Sequence, residues 1–316
     1  MIVLHLFLFG SLSVQWSGAP CAGIALSSRA ASLLAFLALA RGRFFSRAEL
    51  ATLLWTDRGE AVNAGTFNTA LWRLRKAIER PPIAAGTLIG SDRRGGIGLL
   101  PDAALTLDVE QFQQLTAPGL ARPLEQLGES EISGLRAGVQ LYKADILSDF
   151  TDDWALRERE KLRRIYLNAQ GRLMKFCGLV GDHGGGIRHA QAILDCDALR
   201  EDVHRELMRL YVLNGQRALA LRQFEYCRGL LRRELAIHPM PETVALYRRI
   251  AESAIDANPR DAAPATEAPI IVPPPAPAGP GPQRPTGDPR LLLETARRHL
   301  AEADVQLQMS LRLFDD

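Results

Sequence analysis

The chain has 316 residues, with 38 Lys and Arg against 36 Asp and Glu, for a formal charge of +2. That length suits roughly two domains of about 100–200 residues each, and the near balance of charge excludes a uniformly basic chain, so any basic partner surface has to be local. The cysteines, Cys21, Cys177, Cys196 and Cys227, form no CxxC pair, which argues against a disulfide framework or a zinc site and for free thiols in the cytoplasm.

The apolar opening, residues 2–9, lacks a basic n-region and is interrupted by His5. It reads as a β-rich segment rather than a secretory signal. A turn at Gly10-Ser11 leads to a second run, residues 12–16, and a break at Ser17-Gly18. No run reaches the ~18 apolar residues of a membrane span. Ser27-Ser28 offers an N-cap to a helix whose Leu33, Leu34, Leu37 and Ala40 recur at helical spacing before Gly42. Ser46 caps the next helix, and Glu49 three residues on completes a capping box.

A polar connection, residues 56–65, leads to a third helix over residues 60–80, which contains "TALWRLRKAIER". At 100° per residue, Phe67, Leu71, Leu74 and Ile78 form one narrow apolar stripe. Gly65, Thr69, Trp72, Arg73 and Lys76 lie on or near the opposite face, with Thr66, Asn68 and Arg75 on the flanks. Cations and short polar groups on one helix face suit a major groove, although the same charges also solvate an ordinary helix and are favourable near its C-terminus. Context favours the groove. Beyond Pro81-Pro82, "TLIGSDRRGGIGLL" reads as a hairpin with Arg93 and Arg94 at its turn. Strands, three helices and a basic hairpin describe a winged helix-turn-helix. Residues 1–116 carry eleven Arg and Lys against eight Asp and Glu, only +3, so modest affinity per protomer strengthened by dimerisation or tandem sites is expected.

From residue 117 to 256 the pattern becomes almost continuously helical. Gly181 and Gly215 superpose at a 34-residue offset, the period of tetratricopeptide repeats. Met208 and Tyr211 precede the second turn, with Ala220 and Phe224 after it; Met174, Cys177 and Ala190 are the looser first copy. Gly184-Gly185-Gly186 falls where a helix begins, at a propensity cost of up to ~1 kcal/mol per glycine. Residues 257–287 are a Pro/Ala/Gly-rich linker. Residues 288–316 place Leu293, Ala296, Leu300, Ala303, Leu307, Leu311 and Phe314 on one face of an amphipathic helix. That helix either docks back on the repeats or makes a coiled-coil-like contact.

Other chemistry finds little support. The glycine clusters lack the Lys-Ser/Thr of a P-loop and the GxGxxG of a dinucleotide fold. The histidines show no metal spacing, and His183 and His189 read as solvent-exposed. Asp152-Asp153 reads as a helix cap, residues 158–160 as a charged face and Trp154 as a packing anchor. No catalytic, cofactor or metal residues are expected.

Three stretches, "LLWTD" (residues 53–57), "ALWRLRKAIE" (70–79) and "LDVEQFQQL" (107–115), resemble the DNA-binding half of the SARP-type regulators, named for Streptomyces antibiotic regulatory proteins. Residues 141–167 and 204–250 are similar throughout to the bacterial transcriptional activator domain, a tetratricopeptide-type module. The resemblance covers roughly the first 255 residues, in the family's order. It implies a mainly α fold, with an OmpR-like winged helix (α+β, residues 1–116) followed by a helical repeat domain (117–256). It implies a cytoplasmic regulator that binds promoter direct repeats in double-stranded DNA as a homodimer and contacts RNA polymerase, with no membrane. The family's groove-facing positions fall on Gly65, Thr66, Thr69, Ala70, Trp72, Arg73 and Arg75, with the wing at Arg93 and Arg94; Lys76 joins them from the helical wheel. Gly65 and Trp72 stand where related helices often carry polar or basic groups, so base preference does not transfer. The competing reading is a protein-interaction adaptor whose winged helix has lost DNA affinity.

Overall fold

The computed structural model describes residues 3–17, 23–55, 64–81 and 83–252. Cys21, most of the connection after Trp55, the linker and the terminal helix expected at 288–316 lie outside the described residues.

The chain opens with β1 (Leu4–Phe7) and β2 (Ser13–Trp16), paired antiparallel from Leu4 opposite Trp16 to Phe7 opposite Ser13. Gly10 turns the chain with φ +88°, a value glycine adopts without penalty. A further strand, β5 (Leu105–Leu107), lies parallel to β1 and gives the order β2-β1-β5. Sequence reading missed it. Three residues are too few for a period-two signal, and parallel pairing leaves no local turn to betray it.

Three helices follow the first hairpin: α1 (Ser28–Leu39), α2 (Arg47–Trp55) and α3 (Ala64–Ile78). At the start of α2 the expected capping box forms, Glu49 N–H donating to Ser46 Oγ at 3.1 Å and Ser46 N–H to Glu49 Oε2 at 2.7 Å. Leu33, Leu34 and Leu37 of α1 and Phe67, Leu71, Leu74 and Ile78 of α3 are buried in one core. The hairpin pairs β3 (Ile89–Ser91) with β4 (Ile97–Leu99), Ile89 facing Leu99.

The remaining described chain is helical: α4 (Asp108–Ala121), α5 (Glu129–Leu141), α6 (Asp153–Leu179), α7 (His183–Cys196), α8 (Glu201–Leu213), α9 (Arg217–Leu235) and α10 (Pro241–Glu252). Helix α4 runs straight through positions 116 and 117, so continuous helix begins at Asp108. The hairpins α6-α7 and α8-α9 turn at Gly181 and Gly215, with φ +80° and +73°. Met174, Cys177, Ala190, Met208, Tyr211, Ala220 and Phe224 are all buried, as the 34-residue repeat requires.

The glycines that looked costly at the start of α7 are used. Asp182 caps the helix by accepting the Gly185 N–H at 2.8 Å, and a Cβ at Gly185 would stand 2.2 Å from its Oδ2. At Gly186 a Cβ would stand 3.0 Å from Leu210 Cδ2, so the bare backbone lets α8 approach. Two sequence expectations change here. His183 and His189 are half-buried rather than exposed, because α7 packs against α6, and His189 Nδ1 lies 2.6 Å from Gln170 Oε1. Asp152 precedes α6 as expected, but its side chain makes no cap hydrogen bond; its carbonyl accepts the Ala155 N–H at 2.9 Å.

The first helices and the helical repeats share a core. Phe9 meets Phe112 edge-on with ring centroids 5.4 Å apart, and Tyr142 at 4.9 Å. Leu147 N–H donates to Leu8 O at 2.9 Å and Gly10 N–H to Asp145 O at 3.0 Å, so the chain before α6 borders the segment after β1. Arg159 of α6 secures that segment by donating to the carbonyls of Ile146, Leu147 and Phe150 at 2.6–3.0 Å. At the junction of β5 and α4, the Asp108 carboxylate accepts the N–H groups of Leu8, Phe9 and Val109 at 2.8–3.0 Å.

Candidate nucleic-acid interface

Helix α3 is amphipathic because its apolar residues step by three and four, and burial of that stripe turns the basic face outward. Trp72 is 59% exposed, and Arg73 and Lys76 are exposed beside it. Lys76 Nζ lies 4.8 Å from the Trp72 ring centroid, a cation–π pair at helical i,i+4 spacing. The indole is thus exposed while a cation lies over its ring. Thr69 is exposed, and its hydroxyl donates to Gly65 O at 2.8 Å. Gly65, Thr66, Thr69 and Arg73, together with Ser27, Ser28 and Arg29 at the start of α1, line an open cleft of about 760 Å³.

Two residues that the resemblance sets among the groove-facing positions are largely covered by protein. Ala70 is only 4% exposed, packed beside Phe67, Leu71 and Leu74 of the apolar stripe, yet it also lines the floor of that cleft. Arg75 is half-buried, and its Nη2 donates to Ile89 O at 3.3 Å.

The hairpin turn is built before any partner arrives. Asp92 Oδ1 accepts the N–H groups of Arg94 at 2.9 Å and Gly96 at 2.7 Å, and Gly95 takes φ +78°. This Asx-type turn leaves Arg93 and Arg94 exposed at the tip. One acidic residue beside them is therefore occupied by backbone N–H groups, leaving the tip cationic. The far edge of β4 is held by the chain before α2: Phe45 and Ile97 exchange N–H···O bonds at 3.0 and 2.7 Å, and Gly42 N–H donates to Leu99 O at 3.0 Å. A Cβ at Gly98 would stand 2.3 Å from Arg43 O, so glycine permits that approach.

Sequence reasoning missed Arg29, Asp92 and Glu79 as contributors to this surface. Asp92 had a readable signal in the Asp-x-x-Gly-Gly turn. Glu79, 8% exposed, had none, since its partners lie beyond the end of α3. The arrangement can present cations at two places, a helix face and a hairpin tip, which is the geometry of groove reading combined with phosphate contact. Among the described residues no group of three or more His, Cys, Asp and Glu could hold a metal ion, and no helix is long and apolar enough to cross a membrane.

Comparison with known proteins agrees with this architecture. Residues 22–96 match the family "Transcriptional regulatory protein, C terminal", and residues 107–251 match the "Bacterial transcriptional activator domain". The regulatory protein AfsR of Streptomyces coelicolor is 26% identical over 223 residues, 70% of this chain and 22% of AfsR. The chain thus spans about a fifth of the length of that relative. The transcriptional regulatory protein MoaR1 of Mycobacterium tuberculosis is 21% identical over 220 residues, 69% of this chain and 70% of MoaR1. The solved structure of Mycobacterium tuberculosis EmbR in complex with a low-affinity phosphopeptide superposes with a TM-score of 0.64 at 20% identity, covering 80% of this chain and 66% of that one. The likeness to EmbR is one of fold.

Proposed function

The chain belongs to the SARP-type transcriptional regulators, and from that premise we propose that it binds promoter DNA sequence-specifically and activates transcription. In this reading α3 enters the major groove, and the hairpin reaches the backbone or the adjacent minor groove. Thr66, Thr69, Trp72, Arg73 and Lys76 make the helix contacts, and Arg93 and Arg94 those of the wing. The protein binds direct repeats as a homodimer and contacts RNA polymerase, with residues 1–116 reading DNA and 117–256 carrying the output, α4 being shared.

The observation that carries the proposal is the joint exposure of Trp72, Arg73 and Lys76 on α3 and Arg93 and Arg94 on a preformed turn. Trp72 lacks an acceptor and carries a single donor, so it packs on sugar or thymine methyl groups and tunes affinity more than base choice. The test is a mobility-shift titration on duplexes selected by the full chain from a randomised library. Arg73→Ala should weaken binding by roughly 1–3 kcal/mol, and Arg93→Ala should lower the slope of log affinity against log salt by about one. Unchanged affinity and slope in both variants would count against DNA binding. They would favour the adaptor reading, for which Val212 and Leu213, 41% and 61% exposed beside Leu246 and Ile250, are the supporting surface.

A further inference from the structure

Arg75 carries a charge on the recognition helix but spends it on protein. Its Nη2 donates to the carbonyl of Ile89 at 3.3 Å, and its Nε is buried without a partner. One helical turn later, Glu79 Oε1 accepts the N–H groups of Leu88 at 3.0 Å and Ile89 at 2.9 Å, and Oε2 accepts that of Gly86 at 3.0 Å. Ile89 is thus held through its C=O by Arg75 of α3 and through its N–H by Glu79, the residue just past the end of that helix.

The ladder explains why those groups are available. Leu100 N–H donates to Leu88 O, and Asp92 N–H donates to Gly96 O. In an antiparallel pair hydrogen-bonded positions alternate, so the N–H and C=O of Ile89 turn away from β4. They form the open edge of the hairpin, where buried backbone groups need partners. Arg75 and Glu79 take the place of a third strand there. The opposite edge is held by Gly42 and Phe45, so the hairpin is gripped on both sides.

We propose that Arg75 and Glu79 are positioning residues for DNA recognition. They fix the angle between α3 and the hairpin, so that Arg73 and Lys76 on the helix and Arg93 and Arg94 at the tip address one duplex together. Arg75 acts through the wing and touches neither base nor phosphate. Ile89 lies three residues before Asp92, whose carboxylate shapes the tip, so a change of angle at Ile89 is carried directly to the wing arginines. This inference rests on the DNA-binding reading above.

The test is a double-mutant cycle with the full chain, on a duplex that it selects from a randomised library. Arg75→Met keeps the apolar stem and removes the donor, and Glu79→Gln keeps one acceptor; melting of each variant confirms that it is folded. With the wing intact, Arg75→Met should weaken binding roughly tenfold, whereas in an Arg93→Ala, Arg94→Ala background the same change should cost less than about twofold. Arg73→Ala should cost the same in both backgrounds. Backbone cleavage protection should disappear in Arg75→Met at the positions where the wing double variant loses it. An equal loss from Arg75→Met with and without the wing arginines overturns the proposal and returns Arg75 to the DNA contacts. So does unchanged affinity with the wing intact. Failure of any duplex to be selected overturns the DNA reading itself, and this inference with it.

Discussion

Trp154 of α6 meets Phe36 of α1 edge to face, with ring centroids 5.5 Å apart and planes at 89°. The indole is 6% exposed, so the contact lies inside a core that joins the helical repeats to α1, α2 and α3. Phe150 completes the cluster at 6.1 Å. The first helix of the wing-bearing part therefore rests on the first repeat helix rather than hanging from a flexible tether.

Trp154→Ala should lower stability by about 3–5 kcal/mol, as expected when a large buried aromatic is truncated. The loss should be felt on both sides of the contact, as faster amide hydrogen exchange in α1 as well as in α6. Faster exchange confined to α6 would show that the two parts unfold separately.

A second link depends on Asp108. Burial pushes its carboxyl above the usual carboxylate range, opposed by the N–H groups of Phe9, Leu8 and Val109 that it accepts. Asp108→Ala would leave those donors unpaired and should cost about 2–4 kcal/mol in denaturant unfolding. Asp108→Asn keeps one acceptor oxygen and should lose less. Equal losses in the two variants would mean that bulk rather than hydrogen bonding matters at this position.

These links show where sequence was sufficient and where it was not. The capping box at Ser46, the apolar stripe of α3, the hairpin around Arg93 and Arg94 and the 34-residue repeat all have local periods or turn chemistry, and each was legible. Strand β5 and the bonds of Asp108 to Leu8 and Phe9 depend on contacts between distant segments, which leave no period behind, and the bonds of Glu79 to Gly86, Leu88 and Ile89 depend on how the chain folds back after α3. The same limit separated the face of α3 from its flank. A helical wheel set Arg75 on a flank of α3 but could not say which neighbouring element covers that flank, so its bond to the Ile89 carbonyl was not readable.

The glycines of α7 give a prediction whose sign changes between neighbours. Nothing closer than 3.8 Å would meet a Cβ at Gly184, so Gly184→Ala should raise stability by up to about 1 kcal/mol through helix propensity. Gly185→Ala would drive a methyl into the Asp182 carboxylate that caps the helix. Losing that cap costs about 0.5–2 kcal/mol, which outweighs the propensity gain or cancels it. Thermal melting of the two variants should therefore move in opposite directions, or Gly185→Ala should stay near the parent value. A clear rise in both would show that the cap adds nothing.

Acid should weaken the helical repeats before it reaches the carboxylates. His204 is 1% exposed; its Nε2 lies 2.9 Å from Ala198 O and its Nδ1 2.6 Å from Gln223 Nε2. Nε2 must donate to the carbonyl and Nδ1 must accept from the amide, which selects the neutral ring. Burial pushes the His204 titration down, against an upward pull from the Ala198 carbonyl, Glu201 and Asp202. His189 is also lowered by burial, reinforced by Arg188 and Arg136. An unfolded histidine titrates near 6.5, so below about that pH the unfolded chain binds more protons than the native one. The stability that the neutral rings contribute is thus intact above that value and is lost as pH falls through the lower folded values. The melting temperature should drop between about pH 7.5 and 5, where ordinary carboxylates remain ionised. His204→Gln cannot be protonated in that interval and should flatten the drop. If the variant keeps the full slope of the parent, the charge taken up in acid belongs to a group other than His204.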